Sequence, residues 1–236
     1  MDILGVISNN LVVERSDLLR DSTAKLMKNK YGHASVLITD KMAWIIRHGN
    51  TSRSHILPHL INYSANLQAL KDLGATEIIS INSTGSLKKN LSPGMIVIPD
   101  DFITLTATPT IHTNKAVHIT PSINEKVRQK LIKAAAKNKI KVVPKGTYWQ
   151  TQGPRLETKA EIGMMANYAD IVGMTMANEA VIALELDLPY AAACSIDNYG
   201  NGLLKKPLTM EEIIAGTRKN ADLMIQIIKG YLKLFF

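Results

Sequence analysis

The stretch ATEIISINSTGSLKKNLSPGMIVI, residues 75–98, predicts how this chain folds. Glu77–Ile81 predicts a buried strand, and Met95–Ile98 predicts a second one, entered through Pro93-Gly94. The small residues Asn82–Ser86 between them predict a turn at the carboxyl end of the first strand. Open α/β sheets bind ligands at this edge, and exposed N–H groups suit an anion. On this stretch alone, an ordinary strand connection is the simpler interpretation.

Strands and helices alternate along the rest of the chain. Apolar runs predict strands at Ile3–Ile7, Ser35–Ile38, Ala43–Ile46, Phe102–Ala107, Lys141–Gln152 and Tyr190–Ile196. Helical periodicity or capping boxes predict helices at Asn62–Leu73 and Asn178–Leu186, and after Ser122-x-x-Glu125, Thr158-x-x-Glu161 and Thr209-x-x-Glu212. We therefore expect an α/β three-layer sandwich with a central mixed β-sheet flanked by helices, and a single domain over residues 1–236.

Composition limits the possible partners. The 236 residues are 46% hydrophobic and carry a formal charge of +8, which suits anionic partners. The lysines are scattered, however, and the chain has only three Phe and no arginine-rich run, so we expect no nucleic-acid partner. Nucleic-acid binding driven by the net charge stays open as an alternative.

Several absences predict a cytoplasmic protein. The single cysteine, Cys194, lies in an apolar run and predicts a buried thiol in a reducing compartment. Asp2 follows Met1 without a basic, then apolar, leader, and no apolar run approaches the roughly 20 residues that span a bilayer. We therefore expect no signal peptide and no membrane partner.

Polar residues follow four of the predicted strands: Arg47-His48, Asn82–Ser86, Gly153–Glu157 and Asp197–Asn201. If several of these strands are parallel, their polar ends converge on one crevice.

Together with their neighbours, these segments resemble the purine nucleoside phosphorylase superfamily, in particular its trimeric methylthioadenosine and methylthioinosine phosphorylase branch. The resemblance covers nearly the whole chain. It rests on Arg47-His48-Gly49, the Pro58–Asn66 segment, Asn82–Leu87, Gly153-Pro154-Arg155 with Glu161, and Gly173-Met174-Thr175 with Glu179.

The resemblance implies phosphorolysis: inorganic phosphate attacks the ribosyl C1′ of a purine nucleoside and releases the base and a pentose 1-phosphate. It implies phosphate as co-substrate, no metal or organic cofactor, a role in purine salvage, and a homotrimer or hexamer. The implied phosphate ligands are Asn10, Arg47, His48, Ser83, Thr84 and Thr175. The implied nucleoside contacts are Leu156, Glu157, Met174, Met210 and Ile214, together with His118 from a neighbouring subunit.

Two positions bear on the choice of base. The resemblance places Asn198 where 6-oxopurine enzymes carry Asn and methylthioadenosine enzymes carry Asp, and Glu157 where 6-oxopurine enzymes accept from N1–H. Asp197 beside Asn198 would restore an acidic group after a one-residue shift in register, so both are candidate catalytic residues and the base stays open. Leu208, Met210 and Ile214 suit a 5′-methylthio group, and core packing explains them equally well.

The chain also departs from the family pattern. Ser8-Asn9-Asn10 replaces a glycine-rich phosphate loop, Ser54 and His55 stand where one histidine is expected, and Leu156 replaces a stacking Phe. A catalytically weak or inactive nucleoside-binding protein is therefore one alternative. A hydrolase of the same fold is another, although it would not need Arg47-His48.

Overall fold

The computed structural model describes residues 2–49, 55–205 and 207–236. Within these ranges, ten strands form one mixed sheet. The strands are β1 (Ile3–Ser8), β2 (Thr23–Asn29), β3 (Gly32–Ile38), β4 (Met42–Ile46), β5 (Ala75–Ser86), β6 (Ile96–Val97), β7 (Asp101–Thr104), β8 (Thr147–Gln150), β9 (Ile171–Gly173) and β10 (Tyr190–Tyr199).

The long strand β5 lies at the centre of the sheet. It pairs in parallel with β1 on one side and with β10 on the other, and β1 pairs in parallel with β4. At its far end β5 also pairs with β9 in antiparallel fashion, and β8 and β7 continue the sheet from there. The β2–β3 hairpin extends the opposite side from β4. The carboxyl ends of β1, β4, β5 and β10 therefore meet at one edge.

Helices flank this sheet in two groups. They are α1 (Asn10–Glu14), α2 (Tyr63–Asp72), α3 (Glu125–Lys137), α4 (Lys159–Met165), α5 (Met176–Glu185) and α6 (Met210–Phe235). Helices α3 and α6 pack on each other and on β10, whereas α2 packs on α5. The predicted three-layer α/β architecture is confirmed. No helix in the described ranges is both long and apolar enough to cross a membrane.

The predicted turn at Asn82–Ser86 is wrong, because β5 continues through it to Ser86. The register explains the difference: β10 accompanies these residues as far as the Ser86↔Tyr199 pair, and β9 pairs with Gly85 and Ser86. Small residues here allow close packing within the sheet. A Cβ on Gly85, for example, would lie 3.2 Å from Asn198 Nδ2.

Other boundaries also differ from the prediction. Asn124, not Ser122, caps α3 by accepting from the Val127 N–H, whereas the Thr158–Glu161 capping box forms in full. The predicted strands Phe102–Ala107 and Lys141–Gln152 shorten to β7 and β8. Strand β2 was not predicted, because its exposed edge position removes the apolar alternation that signals a strand.

Candidate functional site

A cavity of about 380 Å³ opens where the four predicted polar strand ends meet. The structure brings Arg47, His48, Ser83, Thr84, Leu156, Glu157, Met174, Thr175, Asn198 and Met210 into its lining. The sequence had placed all of these residues in the site. Among the described lining residues, Arg47 is the only one with a fixed positive charge.

A break in the pairing of β5 forms part of this cavity. Strand β5 pairs with β1 only as far as Ser80, and with β9 only from Gly85. Ile78 N–H faces β10, since it donates to Pro189 O, so the backbone groups of Ile81 and Ser83 face the other way. Ile81 O accepts there from Arg47 Nη1 at 2.7 Å. Between Ser80 and Gly85, which we call the β5 gap, the Ser83 N–H can therefore bind an anion.

The guanidinium of Arg47 is 3% exposed and is largely engaged within the protein. Its Nε donates to Glu179 Oε1 at 2.6 Å, and Nη2 lies 2.6 Å from Ser80 Oγ and 3.3 Å from Glu179 Oε2. Burial alone would lower the pKa of Arg47, but the Glu179 carboxylate raises it, so the charge persists. The Nε and Nη2 edge of Arg47 is thus bound to Glu179, and only Nη1 retains an N–H, beyond its bond to Ile81 O, for the predicted contact with phosphate.

Thr175 offers a hydroxyl proton to the cavity. Its Oγ1 accepts from Asn82 Nδ2 at 2.9 Å, so its own proton is free to donate elsewhere. The backbone N–H groups at the start of α5 already have acceptors within the protein. Tyr148 Oη accepts from Thr175 N, and Gln150 Oε1 accepts from Ala177 N. Thr175 therefore stands at the cavity as a neutral hydrogen-bond donor.

His48 lines the same region in its neutral form. Burial and the nearby charge of Arg47 lower the pKa of His48 to about 4. Its Nδ1 lies 2.8 Å from Ile56 O, and because a carbonyl only accepts, Nδ1 carries the proton. The His48 ring stacks on His55, with centroids 4.8 Å apart. His55 itself lines the cavity, whereas Ser54 lies outside the described residues.

The base-recognition candidates Asn198, Glu157 and Met174 all line this cavity. Asn198 Nδ2 donates to Tyr199 O at 2.8 Å, and Glu157 Oε1 accepts from Thr151 Oγ1 at 2.7 Å. Met174 lies against Gly153, whose φ of +67° and absent Cβ let the sulfur approach closely. These groups combine an amide, a carboxylate and an apolar surface, which suits a purine nucleoside.

Asp197 lies behind the cavity lining rather than in it. It is 3% exposed and accepts from Ser83 Oγ, from Thr217 Oγ1 at 2.7 Å and from Asn220 Nδ2 at 2.7 Å. Burial raises the pKa of Asp197, and these hydrogen bonds partly counteract the rise. The sequence-based role for Asp197 at the base therefore needs correction, because Asp197 lines not this cavity but an adjoining one of about 350 Å³.

The hydroxyls of Ser83 and Thr84 likewise point to protein partners. Ser83 Oγ donates to Asp197, and Thr84 Oγ1 donates to Ser195 O at 2.7 Å. The hydroxyl protons predicted to bind phosphate are thus in use, and the Ser83 backbone N–H remains available.

The start of α6 contributes an apolar wall to the cavity. Leu208, Met210 and Ile213 line it, whereas the predicted Ile214 does not. One helical residue turns the side chain by about 100°, so the helix start at Met210 directs Ile213 rather than Ile214 to the cavity.

Two further predicted residues lie elsewhere. Asn9 lines the cavity instead of Asn10, because α1 begins at Asn10 and Asn9 caps it by accepting from the Val12 N–H. His118 is exposed on an irregular segment outside the lining, and its contact with a neighbouring subunit stays a prediction. Leu57 and Pro58 were not predicted as lining residues, although Pro58 belongs to the quoted family segment.

Comparisons with known proteins show the family to which this chain belongs. The model of the family described as "Phosphorylase superfamily" matches residues 14–233. A "Probable 6-oxopurine nucleoside phosphorylase" of Archaeoglobus fulgidus is 37% identical over 236 residues, covering 98% of this chain and 96% of the relative. A "Probable S-methyl-5'-thioinosine phosphorylase" of Methanocaldococcus jannaschii is 36% identical, covering 99% of this chain and 93% of the relative.

A solved structure shows the same fold. The methylthioadenosine phosphorylase of Schistosoma mansoni, in complex with adenine, superposes with a TM-score of 0.90 at 23% identity, covering 100% of this chain and 92% of that one. From the family match and the extent of the identity, this chain belongs to the phosphorylase superfamily.

Proposed function

We propose that this protein catalyses phosphorolysis of the N-glycosidic bond of a purine nucleoside, yielding a free purine base and a pentose 1-phosphate. The observation that carries the proposal is one cavity lined both by anion-binding groups, Ser83 and Thr175, and by base-recognition groups, Asn198 and Glu157. The relatives of this chain bear the names of phosphorylases that act on such nucleosides. Inorganic phosphate is the proposed co-substrate, and the proposal includes no metal or organic cofactor.

In this reaction the C1′–O bond to phosphate forms while the C1′–N9 bond to the base breaks. The Ser83 N–H, the Thr175 hydroxyl and the remaining Arg47 N–H bind the phosphate oxygens. Neutral His48, with its proton on Nδ1, can accept a hydrogen bond from a phosphate hydroxyl through Nε2. Because positive charge develops on the sugar in the transition state, a phosphate fixed near C1′ stabilises that state more than the ground state.

We propose a 6-oxopurine as the base. The Asn198 amide can donate to O6 and accept from N7–H, which stabilises the departing base, and Glu157 can accept from N1–H. Two of the most similar relatives carry names of 6-oxopurine or thioinosine enzymes. For the 5′ position, the wall formed by Leu208, Met210 and Ile213 favours a methylthio group over a hydroxyl.

The Asn198→Asp variant tests the choice of base. A carboxylate cannot donate to O6 but can accept from a 6-amino group, so the ratio of kcat/KM for inosine over adenosine should fall about tenfold. Steady-state kinetics with both nucleosides measures the ratio, with Asn90→Asp, at an exposed position outside the cavity lining, as the control. An unchanged ratio would show that Asn198 does not face the base.

The function itself is tested by base release from inosine, methylthioinosine, adenosine and methylthioadenosine, each with and without phosphate. The proposal expects release only with phosphate, fastest from a 6-oxopurine nucleoside. Equal release without phosphate would establish a hydrolase instead. Nucleoside binding without turnover would establish the inactive alternative, for which the altered segment at Asn9 and Asn10 is the observation.

We further propose that the protein is a homotrimer in the cytoplasm. The exposed His118 and the exposed apolar residues Leu57, Leu60 and Leu156 near the cavity support contact with a neighbouring copy. Light scattering coupled to gel filtration should give three times the chain mass. A monomer would exclude the role proposed for His118, and six copies would indicate a hexamer.

A further inference from the structure

We propose that Asp197 is a positioning residue that links helix α6 to the phosphate-binding backbone of Ser83. This inference rests on the proposed phosphorolysis and deepens it. It assigns a role to a buried carboxylate that lies outside the lining of the candidate site.

The hydrogen bonds of Asp197 join three elements. Asp197 belongs to β10, Ser83 to β5, and Thr217 and Asn220 to α6. Ser83 and Thr217 donate to Asp197 Oδ2, and Asn220 donates to Oδ1. The buried carboxylate is therefore satisfied from both sides, and losing one donor leaves part of its acceptor capacity unmet.

Helix α6 contacts Asp197 over more than one turn. Gly216 lies so close to the Asp197 backbone that a Cβ there would overlap its carbonyl oxygen, and Asn220 Nδ2 also donates to Ile196 O at 3.0 Å. Thr217 Oγ1 lies 3.0 Å from Ile213 O, and Ile213 lines the cavity. One turn of α6 therefore carries both Ile213, a residue of the apolar wall, and Thr217, a donor to Asp197.

Ser83 is where this linkage reaches the phosphate. Because Asp197 accepts from the Ser83 hydroxyl, the side chain is fixed on one side of β5. The register of β5 directs the backbone N–H of the same residue into the β5 gap. Breaking the hydrogen bond between Ser83 and Asp197 should thus make the Ser83 backbone N–H less well positioned for phosphate. The Asn198 side chain should keep its position.

A double-mutant cycle of Ser83→Ala and Thr217→Val tests the linkage. Thr217→Val keeps the side-chain shape and removes the donor, and Thr217→Ser keeps the donor. Thr217 itself is not a lining residue of the cavity. We expect Ser83→Ala and Thr217→Val each to raise KM for phosphate about fivefold, Thr217→Ser to restore it, and the double variant to be far from additive.

The matched control is Tyr231→Phe. Tyr231 also lies on α6 and donates its hydroxyl to a buried carboxylate, Glu77, at 2.6 Å, but at the far end of the helix. It should leave KM for phosphate unchanged and add independently to Ser83→Ala. Purely additive effects of Ser83→Ala and Thr217→Val, or a Thr217→Val variant kinetically equal to Tyr231→Phe, would overturn the proposal.

The two proposals fail in distinguishable ways. If the unmodified protein releases no base in the presence of phosphate, the proposed function fails. The double-mutant cycle can then still be measured as changes in Kd for inorganic phosphate by calorimetric titration. If the unmodified protein is active and the cycle is additive, only the role of Asp197 fails.

Discussion

The phosphate side and the α6 wall of the cavity are built in different ways. Arg47, Ser83 and Thr175 lie on or beside buried strands and are held by hydrogen bonds within the protein. In contrast, Met210 is 57% exposed at the start of a helix and has only apolar contacts to offer. We infer that the phosphate side is rigid and binds phosphate in the same way whichever nucleoside is bound. The residues of the wall can differ according to the 5′ substituent of the nucleoside.

Among the variants that test this difference, removal of the Glu179 carboxylate should have the largest effect, and the effect should be on stability. Glu179 is 1% exposed and accepts from Arg47, Ser80 and Tyr190, so Glu179→Ala leaves a buried guanidinium without its counter-ion. We expect the free energy of unfolding to fall by about 3–5 kcal/mol, measured by urea denaturation. A fall no larger than that of Asp222→Ala, which breaks the exposed pair with Arg15, would contradict a rigid phosphate side.

Thr175→Val should mainly affect phosphate. It removes the hydroxyl proton available to the cavity and leaves Asn82 Nδ2 without its acceptor. We expect KM for phosphate to rise about tenfold, with a smaller change in KM for the nucleoside. Thr175→Ser retains the hydroxyl and is the matched control. An equal rise of both KM values would show that Thr175 acts on the whole cavity.

The low pKa of His48 should appear in the pH dependence of stability. The folded protein holds this pKa at about 4, below the ordinary value of 6.5, so between these values the unfolded chain binds the proton more readily. Stability should therefore fall as pH drops from about 6.5 towards 4, and His48 should contribute no slope above 6.5. For His48→Gln, the free energy of unfolding should depend less steeply on pH across this range. An identical slope in the variant and the unmodified protein would show that another group titrates.

The smallest effect is expected at the α6 wall. Met210→Ala removes apolar contact from an exposed position, so we expect KM for methylthioinosine to rise about threefold and KM for inosine to change less. The midpoint of thermal unfolding should stay unchanged. Leu204→Ala, exposed nearby but outside the lining, is the control. Equal changes in KM for both nucleosides would show that Met210 does not contact the 5′ substituent.

Apolar periodicity predicted the architecture, and the polar residues at strand ends predicted part of the cavity lining. The remaining correct lining residues, such as Met174 and Met210, came from the resemblance to the superfamily. The sequence did not predict the register between strands or the residue at which α1 and α6 begin, and several of the errors follow from these. Asn82–Ser86 has the composition of a turn, but β9 and β10 hold it as strand. The engagement of Arg47 by Glu179, 132 residues apart, has no local signal in the sequence. The resemblance to the superfamily is confirmed by the family match.

The central claim is tested most directly by counting the products formed from inosine or methylthioinosine in the presence of phosphate. Phosphorolysis predicts one pentose 1-phosphate for each free base, followed by phosphorus NMR and chromatography, and no base when phosphate is omitted. Free base accompanied by unphosphorylated sugar would contradict the claim.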